Sequence, residues 1–166
     1  MKNILWTLLV AAAAAGSCMA QTEAISVNMA ATATGTSCTF QAQSLLTGFT
    51  REVSFAGGTA QFVKPQVSEI TILKNADNCS ATLLKNLFST SAPGIPTVTI
   101  TLNDSTGVAQ TIQLTNAFIT SLTGTSGGNV RDPLTEKVTL AYETITITDN
   151  VFKTTVSCSA ITDTCR

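Results

Sequence analysis

The sequence predicts a mainly β domain, a barrel or sandwich of six to eight strands with one short flanking α-helix, and three observations carry that prediction. "PTVTITL" at 96–102 alternates Val98, Ile100 and Leu102 with Thr97, Thr99 and Thr101, which puts aliphatics on one face and hydroxyls on the other. Threonine and valine crowd most other segments, as β-branched side chains do on a pleated surface. Only "DNCSATLLKNLFS" at 77–89 spaces its apolar residues for a helix. The chain of 166 residues is enough for one domain with a substantial core.

Taken in order, residues 1–20 read as a secretory signal. Lys2 supplies the positive end, "ILWTLLVAAAAA" the apolar run and "GSCMA" small residues for cleavage after Ala20. The mature domain is then 21–166, secreted or periplasmic. A second processing route competes: "AGSC" is similar to a lipoprotein signal, in which Cys18 becomes a lipidated first residue, although Ala15 stands where leucine is usual. The apolar run, 4–15, is short of the roughly 20 residues that span a bilayer, so no transmembrane segment is expected.

Strands are predicted at 24–32, 51–56, 62–74, 96–102, 109–122, 134–148 and 151–159. In the sixth, Val138, Leu140 and Tyr142 fall one step out of phase with Ile145 and Ile147. A bulge near Glu143 or Thr144 explains the slip, and so does a strand buried first on one face and then on the other. The helix carries a stripe of Leu83, Leu84, Leu87 and Phe88, with Asp77, Asn78 or Ser80 available as cap and "SAPG" as its stop.

Setting Cys18 aside, Cys38, Cys79, Cys158 and Cys165 are an even set in an exported chain, and two disulfides are expected. Three pairings are open; closing a small loop with Cys158 and Cys165 leaves Cys38 with Cys79. No CxxC pair and no histidine occur, which argues against zinc.

Without histidine the usual base of a serine or cysteine nucleophile is missing, so no enzyme is expected and no catalytic, metal or cofactor residue is assigned. The acidic residues read as solvated surface charge; two carboxylates sharing a cleft are the remaining route to acid–base chemistry. "GTSGGN" lacks the Gly-Lys-Ser/Thr of a phosphate loop and fits a hairpin connection instead. With 11% charged residues and a net charge of -1, nucleic acid is not an expected partner. "NCS" and "NDS" match glycosylation acceptors, but the alanine-rich leader looks bacterial and they carry no weight.

Several stretches together resemble one family. In "AQTIQLTNAFITSLTGTSGGNVRDPLTEKVTLAYETITIT" a strand ends at Ser121, a loop carries Gly127 and Gly128, Leu134-Thr135-Glu136 follows, and a strand starts at Val138. Upstream, "VSEITILKNADNCSATLLKNLF" places Lys74, Asp77, Ser80 and Leu83, and "REVSFAGG" leads into a glycine turn. This pattern, over roughly 51–148, resembles the haemolysin-coregulated protein (Hcp) family, the tube proteins of type VI secretion. The resemblance implies an Hcp-like β-barrel that self-assembles into hexameric rings, stacks them into a tube and holds secreted effectors in the lumen. It places assembly loops at Gly57, Gly58, Gly127, Gly128, Asp132 and Glu136. The signal peptide and disulfides depart from the family pattern, and the loop between "VSFA" and "FVKP" is shorter than the family's extended loop. The expectation is an exported self-assembling structural protein; the alternative is a monomeric periplasmic or surface binding module, lipid-anchored through Cys18.

Overall fold

A computed structural model describes residues 24–31, 36–56, 58–62, 66–89, 94–126 and 133–166. In chain order the elements are β1 (Ala24–Met29), β2 (Cys38–Ala42), β3 (Ser44–Leu46), β4 (Phe49–Thr50), β5 (Val53–Ala56), β6 (Thr59–Phe62), β7 (Gln66–Val67), β8 (Ile70–Asn75), α1 (Ser80–Leu87), β9 (Ile95–Asp104), β10 (Gly107–Thr125), β11 (Thr135–Asp149), β12 (Thr154–Ser159) and β13 (Thr164–Cys165).

The main sheet closes on itself. Antiparallel pairs run from β2 through β1, β9 and β10 to β11, β11 also pairs β8, and β8 pairs β3. Only Gln43 separates β2 from β3, and its N–H donates to the Leu73 carbonyl at 2.7 Å, so one bent strand changes partner and completes the circuit. The expected barrel therefore has six walls, with β12 and β13 continuing from the second half of β11 as a flap. The stretch 38–46, to which the sequence reading gave no strand, supplies the closing wall. The single strand expected at 62–74 instead contributes to three elements, because its first part returns from an arm and only β8 joins the barrel.

Register explains the core. Val27, Ile100 and Ile112 stand in one row between Phe40 and Ile147, and Met29, Val98 and Leu114 in the next, all buried or packed on the core. The phase slip noted in the sequence is a change of face, and it is shared by three strands. Ile95, Ala117 and Tyr142 are neighbours on one side of it, and Val98, Leu114 and Ile145 on the other. No register shift lies near Glu143; the shifts in β10 are at Val108/Gln110 and Ile119/Ser121. At the changeover Asn116 has φ 50, a left-handed conformation that asparagine tolerates. Between the same paired residues β9 carries Pro96, which has no N–H to lose from the ladder. Gly94 makes this corner possible: a Cβ there would collide with Asn116 Oδ1 and sit 2.8 Å from Phe118 Cζ.

Helix α1 packs on β10 through one side only. Leu83 is fully buried and Leu87 packs on the core, whereas Leu84 and Phe88, expected in the same stripe, face outward. The helix starts without a side-chain cap of its own; the turn before it is closed by Asp77 Oδ1, which accepts from the Cys79 N–H at 2.8 Å.

Candidate functional site

Two disulfides brace this frame. Cys38 in β2 is joined to Cys79 at the start of α1, and Cys158 in β12 to Cys165 in β13. The first ties the helix to the barrel wall; the second clamps the last two strands together. Cys18 lies outside the described residues.

Lys74, Asp77, Ser80 and Glu136, distant in sequence, form one cluster. Lys74 and Glu136 are register partners on β8 and β11. The Lys74 Nζ donates to Glu136 Oε2 at 2.8 Å and to the Asn75 carbonyl at 2.7 Å, and lies 2.9 Å from Asp77 Oδ1. The Ser80 hydroxyl donates to the same Glu136 oxygen at 2.7 Å and accepts from the Asp77 N–H at 3.0 Å. Lys74 is 0% exposed, with its ammonium 5.2 Å from the Phe40 ring centroid. An ammonium so far from water is tolerable only with its carboxylates in place. The cluster therefore pins the α1 entry to the β8–β11 wall. Glu136 thus lies in β11, within the strand expected at 134–148, but it is buried, where the resemblance groups it with the assembly loops and the scattered acidic residues read as solvated charge.

Of the other expected assembly residues, Gly57, Gly127, Gly128 and Asp132 lie outside the described residues. Gly58, with φ 79, turns the β5–β6 hairpin. That hairpin and the β4–β7 pair below it make an arm whose strands pair only with each other. Its base is strapped to the barrel: the Tyr142 hydroxyl donates to the Ser68 carbonyl at 2.9 Å, and the Ser68 N–H to the Gly48 carbonyl at 3.0 Å. Burial pushes the Tyr142 phenol up to about 12. Further out, Val53 and Phe55 share one face of β5, and Phe55 is 77% exposed. Beside the arm base an apolar cleft of about 340 Å³ opens against the flap, lined by Phe49, Ile145, Ile147, Val156, Cys158 and Cys165.

Opposite the core rows, two rows of the sheet's outer face carry no charge. Thr39, Asn28, Thr99, Gln113, Thr146 and Ser157 form one row, and Gln41, Ser26, Thr101, Thr111, Thr148 and Thr155 the next. Hydroxyls and amides meet across it, as between Thr146 and Ser157 at 3.0 Å and between the Asn28 amide and Thr39 at 3.2 Å.

Carboxylates do share a cavity, Asp104 and Asp149 at the β9–β10 and β11–β12 turns. Each is engaged in its turn. Asp104 Oδ1 accepts from the Thr106 hydroxyl and N–H and from the Gly107 N–H, which holds its carboxyl below the usual range. Asp149 Oδ1 accepts from the N–H groups of Val151 and Phe152. These are turn-forming contacts, with no proton relay between them. Among the described residues, no three metal-ligating side chains gather, and no helix is long and apolar enough to cross a membrane.

The fold is thus a six-walled β-barrel with a flanking helix and a side arm, and it is shared with solved proteins of type VI secretion. A solved "type six secretion system protein" superimposes with a TM-score of 0.69 at 16% identity, covering 87% of this chain and 99% of that one. Hcp1 from E. coli EAEC 042 gives 0.68 at 14%, over 83% and 99%. The secreted protein Hcp3 from Pseudomonas aeruginosa gives 0.56 at 19%, over 82% and 97%. No curated protein matches the sequence. Residues 19–148 match the family described as "Type VI secretion system effector, Hcp", and the chain belongs to that family. It is a family of structural tube proteins and not of enzymes.

Proposed function

We propose that this chain is an exported, disulfide-braced tube protein that assembles with copies of itself, six to a ring as the family resemblance implies. The observation that carries the reading is the presence of two apolar surfaces on one chain, the Val53–Phe55 face of the arm and the cleft at Phe49, Val156 and Cys165. Exposed aromatic residues on a projecting hairpin mark a protein interface. A protrusion and a cleft at different places on one surface make a head-to-tail contact, the kind that closes into rings or continues as filaments. The uncharged hydroxyl face suits a lumen wall, since it offers cargo neither charge nor an apolar patch to hold it.

Export through the signal at 1–20 is part of the proposal, and two disulfides in the fold fit an oxidising compartment. The assembly loops at Gly57, Gly58, Gly127, Gly128 and Asp132 belong to it as well, and Glu136 contributes through Lys74 by holding the α1 entry to the wall. Effector proteins in the lumen are the proposed partners. The test is periplasmic expression, intact-mass measurement, and light scattering with negative-stain microscopy. Rings or filaments and a mass starting at Gln21 are expected. A strict monomer at high concentration removes the ring, and a lipidated Cys18 replaces the soluble tube protein with an anchored module.

A further inference from the structure

Residues 161–166 form a strap along the outer edge of the flap. Up to Ala160 the chain belongs to the sheet: β12 pairs with β11 at six positions, and the Ala160 N–H donates to the Glu143 carbonyl at 2.8 Å. Beyond it the pairing shortens. β13 is two residues long and meets β12 at Cys158 with Cys165 and at Ser159 with Thr164. Arg166 then exchanges two backbone hydrogen bonds of 2.9 Å with Ser157. The Cys158–Cys165 bridge lies in the middle of these contacts. Asp163, Thr164 and Cys165 of the strap also help to wall the apolar cleft, together with Phe49, Ile145 and Val156.

A strand so short, at a sheet edge and in contact with water, opens at little cost, because its few hydrogen bonds exchange readily for bonds to solvent. The covalent bridge is what keeps it closed. The two disulfides of the chain differ in access. Cys38 is 4% exposed and Cys79 5%, so neither end of that bridge meets an external thiol without opening of the core. Cys158 is 6% exposed, but its partner Cys165 lies in a two-residue strand that is exposed throughout. Thiol–disulfide exchange needs one sulfur within reach of a thiolate, and in this bridge that sulfur is Cys165.

We propose that the Cys158–Cys165 bridge is a redox latch: a small dithiol cuts it by attack at Cys165 while Cys38–Cys79 stays closed, and the cut releases residues 161–166 from β12 and from the wall of the apolar cleft. One thiolate of the dithiol bonds to Cys165 Sγ as the Cys158–Cys165 bond breaks, and Cys158 leaves as a thiolate that takes up a proton. The second sulfur of the dithiol, as a thiolate, attacks its own partner in the mixed disulfide and frees Cys165 as a thiol. The dithiol ends as a disulfide, and its two electrons and two protons end on Cys158 and Cys165. The latch does not rest on the tube reading, since strap, bridge and cleft wall belong to a single copy.

The test treats the dilute, oxidised protein with about 1 mM dithiothreitol at neutral pH without denaturant, and follows each bridge by iodoacetamide alkylation and peptide mass mapping. Cys158 and Cys165 should be alkylated at least ~100-fold faster than Cys38 and Cys79. Hydrogen exchange should then show the N–H groups of Ser157 and Arg166 losing at least ~10-fold of their protection while the β10–β11 amides keep theirs. Oxidised glutathione, added after the dithiol is removed, should restore it. Cys158→Ser/Cys165→Ser, which cannot form the bridge, should show the open pattern without reductant. Equal reduction rates at the two bridges overturn the selective latch. Unchanged protection at Ser157 and Arg166, in the reduced protein or in the double variant, shows that hydrogen bonds alone hold the strap and overturns its release. Loss of protection throughout β10 and β11 shows that the domain unfolds as a whole, and overturns it as well.

Discussion

Cys38 and Cys165 stand at opposite ends of one cross-strand row, which runs Cys38, Met29, Val98, Leu114, Ile145, Cys158, Cys165 across seven strands. A disulfide from Cys38 leaves the row for Cys79 before α1, and a second joins the row's last two members, Cys158 in β12 and Cys165 in β13. The row is thus bolted at both ends, and the bolts close loops of unequal length, 41 and 7 residues of separation. Chain entropy assigns about 4 kcal/mol to the longer loop and about 2 kcal/mol to the shorter. Urea unfolding should therefore show Cys38→Ala/Cys79→Ala losing more stability than Cys158→Ala/Cys165→Ala. The reverse order would mean that strand pairing at the flap, and not loop closure, dominates.

The Lys74 cluster makes a different prediction, because its worth lies in mutual compensation. Lys74→Met strands the Glu136 carboxylate in the interior and Glu136→Leu strands the ammonium, each at about 3–5 kcal/mol. Removing both leaves no buried charge between that pair. The double variant should recover at least half of the summed loss in a denaturation cycle. Additive losses would show that the two groups act independently, against the 2.8 Å contact between them.

Tyr142 is the only tyrosine in the chain, so phenolate absorbance near 295 nm reads it alone. Its folded value of about 12 lies above the reference value of 10.0, because burial disfavours the anion. Between those values the folded state holds a proton that the unfolded state has released. The phenol's contribution is therefore complete below pH 10 and is lost as pH rises through 12. Absorbance should titrate near 12 in the native protein and near 10 in urea. Tyr142→Phe, which leaves the Ser68 carbonyl without this donor, should cost about 1 kcal/mol at neutral pH and flatten the alkaline loss of stability.

The long strands were legible because threonine and aliphatic residues alternate along them, and even the phase slip at Glu143 was visible. Of the two causes read for it, a bulge and a change of face, the second is the one found; what no single segment encodes is that β9, β10 and β11 share it around Asn116, because sharing depends on register. The β2–β3 stretch escaped for a similar reason. Cys38 and Phe40 alternate with Thr39 and Gln41, but the pattern lasts only until the bend at Gln43, where the strand changes partner. Lys74, Asp77, Ser80 and Glu136 were singled out by family resemblance, yet their meeting rests on a 62-residue separation bridged by the β8–β11 pair. Leu84 and Phe88 misled because helical spacing shows that a stripe exists and not how wide its covered part is.

That shared corner is open to direct test. Gly94→Ala forces a methyl toward Phe118 Cζ and Asn116 Oδ1, and overpacking of this kind costs about 1–3 kcal/mol. Asn116→Gly keeps φ 50 accessible and should cost little, whereas Asn116→Val should cost about 1–3 kcal/mol because a β-branched residue resists the left-handed region. If valine is as well tolerated as glycine, the left-handed corner is not what turns the three strands over.

The head-to-tail contact predicts a pattern that simple stickiness does not. Phe55→Ser removes the protruding ring, and Val156→Asp places a charge in the cleft; both positions are exposed in the single chain, so folding should survive. Each variant alone then lacks one half of the contact and should lose assembly through it. An equimolar mixture still contains one intact arm and one intact cleft, enough for a single contact per pair. Light scattering should therefore show monomers for each variant alone and dimers, with nothing longer, for the mixture. A symmetric contact of like surfaces gives no such rescue, and wild-type assembly by either variant alone removes the arm and cleft from the interface.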